Sequence, residues 1–165
     1  DALSLYAIGL IAGNLVNVYS DNAGKDGWEK ITLASTIGGM VINTAGVTLA
    51  HGMEHPASGL RDIVHGKGLA ALTPAIIEAS YTGNESKFAD IAKLFGGKEA
   101  KDLALKIREL LKSINLNCTL SDLGIEEKDI PWMAENCMKV SAASVANNPV
   151  VFTQEQIADI YKKAL

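Results

Sequence analysis

Apolar residues recur with helical period along nearly the whole chain. Leu3, Leu5, Ile8, Leu10, Ile11, Leu15 and Val18 predict a first helix. Ser20 to Gly27 is polar and contains glycine, which predicts a turn. From Ile31 to Met53 there is no Asp, Glu, Lys or Arg. That stretch is long enough to cross a bilayer. It also carries Thr32, Ser35, Thr36, Asn43, Thr44, Thr48 and His51, and Gly38-Gly39 and Gly46 allow neighbours to approach closely. The reading is therefore a buried central helix over about 28–49, surrounded by other helices and lacking a solvent face, rather than a membrane span.

A break is expected near Pro56 to Val64, then an apolar helix over about 68–81, stopped by Thr82-Gly83-Asn84. Asn84 is expected to cap a helix over 85–94 that ends at Gly96-Gly97. Residues 98–114 read as an amphipathic helix, with Leu103, Ile107, Leu110, Leu111 and Ile114 inward. Pro131 suits the first turn of a helix reaching about Ala143. Asn147-Asn148-Pro149 is a loop, and Thr153 with Gln156 forms a capping box that opens the last helix. No alternating strand pattern occurs. The fold class is all-α, a compact helical bundle forming a single domain over residues 1–165.

The 165 residues suit one domain with a substantial core, and 48% hydrophobic with 21% charged content is ordinary for a globular protein. The net charge of -4, without a basic block, argues against a nucleic-acid partner. Cys118 and Cys137 match no metal or redox spacing and read as reduced thiols of a cytoplasmic protein. The chain opens at Asp1 with neither an initiator Met nor a leader, which reads as a piece of a larger enzyme.

All three histidines fall within one window, at His51, His55 and His65. Histidine is the commonest metal ligand and the commonest acid/base near neutral pH. His51 and His55 are four apart, so a helix places them on one face with Cβ atoms roughly 6 Å apart. A reversal around Ser58-Gly59 would bring His65 back beside them. Alternatively, each histidine caps a helix or satisfies the core, and the chain is a non-catalytic helical interaction module. His51-Gly52-Met53-Glu54-His55 also fits H-x-x-E-H, the inverted zincin pattern, with Glu126 or Glu127 placed for a third ligand. That zinc metalloprotease class needs a sheet, which this chain does not show. Glu54 then reads as a carboxylate that supports a ligand or faces solvent, rather than as a base. Trp28 and Trp132 read as packing or partly exposed anchors.

The run Ile37-Gly38-Gly39-Met40-Val41-Ile42-Asn43-Thr44-Ala45-Gly46, followed by Leu49-Ala50-His51-Gly52-Met53-Glu54-His55-Pro56 and Val64-His65-Gly66, resembles the signature of the iron-containing (group III) alcohol dehydrogenases. Asp1-Ala2-Leu3 with Ala7-Ile8 resembles the family's T-D-A-L-x-x-x-A-I helix. Leu123-Gly124-Ile125 with Asp129-Ile130-Pro131 resembles its L-G-I-x-x-x-D-I-P connector, and Asn148-Pro149 with Thr153 and Ile157 its C-terminal motif. The likeness runs from end to end. It implies the all-helical C-terminal domain of the dehydroquinate synthase-like and iron alcohol dehydrogenases, with the N-terminal NAD(P)-binding domain absent from this chain. Gly38-Gly39 and Gly96-Gly97 follow no strand, so the chain carries no dinucleotide fingerprint.

The resemblance also implies roles. In the family one iron is held by an Asp and three His. His51 and His65 match two of these metal ligands. His55 matches the residue beside the nicotinamide and substrate, a catalytic proton relay and cofactor contact. The other two ligands belong to a D-A-L-x-H-A motif upstream. Asp1-Ala2-Leu3-Ser4 looks like its start, but Leu5 stands where the ligand His is required, so Asp1 is set aside. The implied cofactors are Fe(II), with Zn(II) also suited to such a set, and NAD or NADP held mainly by the other domain. The implied reaction is metal-assisted hydride transfer between a primary alcohol or aldehyde and NAD(P). The implied partners are that small substrate and the N-terminal domain, with a homo-oligomer allowed and no membrane. Alone, the chain is expected to bind metal weakly and to oxidise no alcohol. Val150 departs from the family's Arg, Ala57-Ser58 from its small-Leu pair, and Ile42 from a frequent Phe near the substrate.

Overall fold

A computed structural model describes residues 1–165, which form nine α-helices and no strand. The all-α reading holds. The contacts divide the chain into two compact units, residues 1–46 with 85–115, and residues 47–84 with 116–165.

The first unit holds α1 (Ala2–Tyr19), α2 (Gly24–Ala45), α5 (Glu85–Leu94) and α6 (Asp102–Ser113). Ala7, Ala34 and Ile37 form its buried centre, flanked by Leu10, Ile11 and Val41. α1 carries no charged residue, and its 18 residues with a mean hydropathy of 1.5 make it long and apolar enough to cross a bilayer. In the structure it packs against α2 and α5.

The expected buried central helix is corrected here. α2 begins and ends about four residues earlier than predicted, and only Gly27, Ala34 and Ile37 along it are buried. Trp28, Leu33, Met40 and Ile42 are exposed. The charge-free run misled because its hydroxyls need neither solvent nor a neighbour. Thr32, Thr36 and Thr44 donate to the carbonyls of Trp28, Thr32 and Met40 at 2.8, 3.0 and 2.8 Å, one turn back in the same helix. Gly46, with φ of 73°, ends α2 in a conformation that favours glycine. The uncharged stretch is thus shared between two helices rather than forming one.

The second unit holds α3 (Leu49–Arg61), α4 (His65–Ser80), α7 (Ile130–Val140), α8 (Ala142–Ala146) and α9 (Gln154–Ala164). α3 packs on α4, α7 and α8, and α9 on α4 and α7. Leu49, Met53, Leu72, Leu120, Met133, Ile157 and Tyr161 are fully buried in its core. Each such aliphatic side chain contributes about 1.5–3 kcal/mol of transfer free energy. The Tyr161 hydroxyl donates to the Met53 carbonyl at 2.5 Å, which satisfies its polar end inside that core.

The break expected from Pro56 falls later. Pro56 lies inside α3, which continues to Arg61. A proline removes one helical N–H donor. Leu49, Met53 and Ala57 nevertheless hold the helix against the core on either side of it. The chain turns at Asp62 instead, where φ is 51°. Arg61 anchors this turn, donating to the Gly124 carbonyl at 2.9 Å and to the Asp129 carboxylate at 2.7 Å. The predicted helix after Pro131 is interrupted at Ser141, giving α7 and α8. The capping box at Thr153 and Gln156 forms as expected, with the two reciprocal bonds at 2.9 and 3.3 Å.

Candidate metal centre

α3 and the start of α4 build the site, and both belong to the second unit. His51 sits in the first turn of α3, with His55 one turn further along it. His65 is the first residue of α4, directly after the turn at Asp62–Val64. That turn does what the sequence assigned to Ser58-Gly59. The ring centroids lie 5.2 Å apart for His51 and His65, 5.8 Å for His55 and His65, and 6.1 Å for His51 and His55. All three predicted site residues are therefore brought together.

The helices approach closely because Gly52 faces α7 and α8. A Cβ there would meet Ser141 Cβ at 3.2 Å and Ser144 Cβ at 3.3 Å. Burial lowers the His51 pKa from its ordinary value, and the neighbouring His65 and His55 push the same way. Neutral imidazole is the form that ligates a metal.

Of the two places the sequence left open for Glu54, the structure takes the one beside a histidine and not the solvent face. Glu54 is fully buried beneath the histidines. One carboxyl oxygen contacts Ser58 Oγ and the other contacts His65 Nδ1. Ser58 Oγ also lies 3.0 Å from the Ile63 carbonyl. The inverted zincin mechanism needs this carboxylate open to a water, and here it is closed off.

The donor chemistry fits a divalent cation. Nitrogen and oxygen donors of Glu54, His55 and His65 lie within 4.8 Å of one another, and His51 stands beside them. This grouping differs from the His51 and His65 pair implied by resemblance. Both oxygens of Glu54 already have partners, so it is poorly placed to ligate. The ring planes of His55 and His65 lie at 27° to one another. His51 and His65 are tilted at 55°. No strand is present to carry a dinucleotide phosphate loop, so the residues here do not fit NAD(P) as a whole-cofactor site.

The model of the Fe-containing alcohol dehydrogenase family, C-terminal, matches residues 1–165. The chain belongs to the iron-containing alcohol dehydrogenase family. Among its relatives, 1,3-propanediol dehydrogenase of Klebsiella pneumoniae is 36% identical over 172 residues, covering 99% of this chain and 44% of that protein. Lactaldehyde reductase of Escherichia coli (strain K12) is 31% identical over 174 residues, with the same coverage. The crystal structure of a 1,3-propanediol oxidoreductase superposes with a TM-score of 0.91 at 35% identity, covering all of this chain and 45% of that one. That of an archaeal halo-thermophilic Red Sea brine pool alcohol dehydrogenase superposes at 0.91 and 30% identity. The chain thus spans less than half the length of its relatives and corresponds to the family's helical C-terminal part.

Proposed function

We propose that this chain is the metal-bearing part of an alcohol dehydrogenase that moves hydride between a primary alcohol or aldehyde and NAD(P). The observation that carries this reading is the convergence of His51 and His65, from two helices, at a centroid distance of 5.2 Å. His51 and His65 would hold a divalent ion, iron by family and zinc by donor type. When bound, the ion supplies Lewis acidity that polarises the alcohol oxygen and eases loss of its proton before hydride passes to the nicotinamide.

The chain's own residues hold the histidines and handle a proton. α3 fixes His51 by burying Leu49 and Met53 on either side of it. His55 is exposed one turn along the same helix. There its ring is free to accept a proton from bulk-accessible donors and pass it on. Two imidazoles leave the remaining coordination positions to water or to other parts of the enzyme, so the chain alone binds metal weakly and turns over no alcohol with NAD(P).

Titration with Co(II), followed by its visible absorption, tests the assignment. His51→Ala and His65→Ala are each expected to weaken binding at least about 10-fold, by loss of a ligand. His55→Ala is expected to leave it within about twofold. Binding unchanged in both ligand variants sinks the metal reading and favours a helical module whose histidines only cap. Binding lost with His55→Ala but retained with His51→Ala moves the site onto the other pair.

A further inference from the structure

Glu54 has no role in the family resemblance, yet the chain is built around its side chain. It is fully buried, four residues before Ser58 on α3, so both side chains lie on one face. Across from it, on the first turn of α4, is Gly68. A Cβ at Gly68 would come within 2.7 Å of Glu54 Oε1 and 2.8 Å of its Cγ. Only a residue without a side chain leaves this space. Ser58 and Gly68 together confine the carboxyl group, and its remaining oxygen meets His65 Nδ1. The His65 side chain is half-exposed, so packing alone does not fix its ring.

We infer that Glu54 is a positioning residue that accepts the Nδ1 proton of His65 and so makes Nε2 the nitrogen offered to a cation. A neutral imidazole carries one proton and one lone pair, on different nitrogens. A carboxylate held at Nδ1 selects the tautomer with the proton there and the lone pair at Nε2. It also fixes the ring plane. Ser58 holds the opposite oxygen. Its single proton serves either Glu54 or the Ile63 carbonyl, both within its reach. Glu54, Ser58 and Gly68 thus form one device, spread over two helices, whose output is the orientation of His65. The tautomer stands on the geometry alone, whereas its use in holding a metal rests on the function proposed above.

The deciding variant is Glu54→Ala combined with Gly68→Ala, in which the new methyl groups occupy the space left by the carboxylate. Glu54→Ala alone leaves a hole and serves only as a check on folding. Two readouts are taken on the full chain: the His65 tautomer, from long-range proton–nitrogen NMR without metal, and Co(II) affinity. The parent is expected to show protonated Nδ1 at His65, and the double variant to lose that preference. Co(II) affinity is expected to fall about 10–100-fold in the double variant. Glu54→Gln, whose amide oxygen still accepts from Nδ1, is expected to keep the tautomer.

A folded double variant that still protonates His65 at Nδ1, or binds Co(II) within twofold of the parent, overturns the inference. Should the parent bind no Co(II) at all, the proposed function fails, while the tautomer readout still decides the role of Glu54.

Discussion

Cys137 shows how burial alone sets the chemistry of a single side chain. It is fully buried, and desolvation pushes its thiol pKa up to about 11. Cys118 is only partly buried. An alkylating agent at pH 8 is therefore expected to modify Cys118 first and Cys137 only on unfolding, as counted by intact mass. Equal rates at both thiols would contradict this. The pH dependence follows from the same shift. The folded state holds the Cys137 proton more tightly than the unfolded chain, whose thiol titrates near ~8.5. The resulting stability is fully present below that value and is lost as pH rises toward 11. Tyr161 is raised too, first by burial and then by Cys137 and Glu54, so it adds to the loss only above its ordinary value of about 10. The urea midpoint is expected to fall over this window, less steeply in Cys137→Ala. At this scale the sequence was partly readable. His51, His55 and His65 were identifiable because no other histidine dilutes them. The burial of Glu54 was not, because it depends on Gly68, fourteen residues away, and nothing in the local pattern links the two.

Helix limits follow from specific end contacts more than from hydrophobic period. α4 was expected to stop at Thr82-Gly83-Asn84 and does end there, in a short 3-10 turn over Tyr81–Gly83. Its end is tied to the 147–150 loop. The buried Asn148 side chain donates to Ser80 Oγ at 3.0 Å and to the Val150 carbonyl at 2.9 Å. A Cβ on Gly83 would strike the Pro149 carbonyl oxygen at 2.6 Å. Asn148→Ala leaves the buried Ser80 hydroxyl and the Val150 carbonyl short of a donor, which costs about 1–3 kcal/mol. Urea denaturation is expected to show that loss, and a change under about 0.5 kcal/mol would mean solvent replaces the amide. Val150 itself packs on the core where the family's motif has an Arg. The misplaced break at Pro56 has the same lesson. A proline signals a lost donor, but the core contacts of Leu49, Met53 and Ala57 decide whether the helix continues.

At the scale of the whole molecule, the helical class and the gathering of the three histidines were both legible, the first from apolar period and the second from clustering along the chain. The exposure of α2 was not. Trp28, Met40 and Ile42 lie on its surface, although the charge-free run suggested burial. Composition records how well a segment tolerates an apolar setting and does not say what covers it. The matched relatives are more than twice as long as this chain, which aligns with only part of their fold. The most direct measurement is a crystal structure of the chain grown with Zn(II), the ion located by anomalous scattering. The account predicts one ion bound by His51 and by His65 Nε2 at about 2.0–2.1 Å, with Glu54 still against His65 Nδ1. An ion bound to the Glu54 carboxylate, or no ordered ion at the histidines, would contradict it.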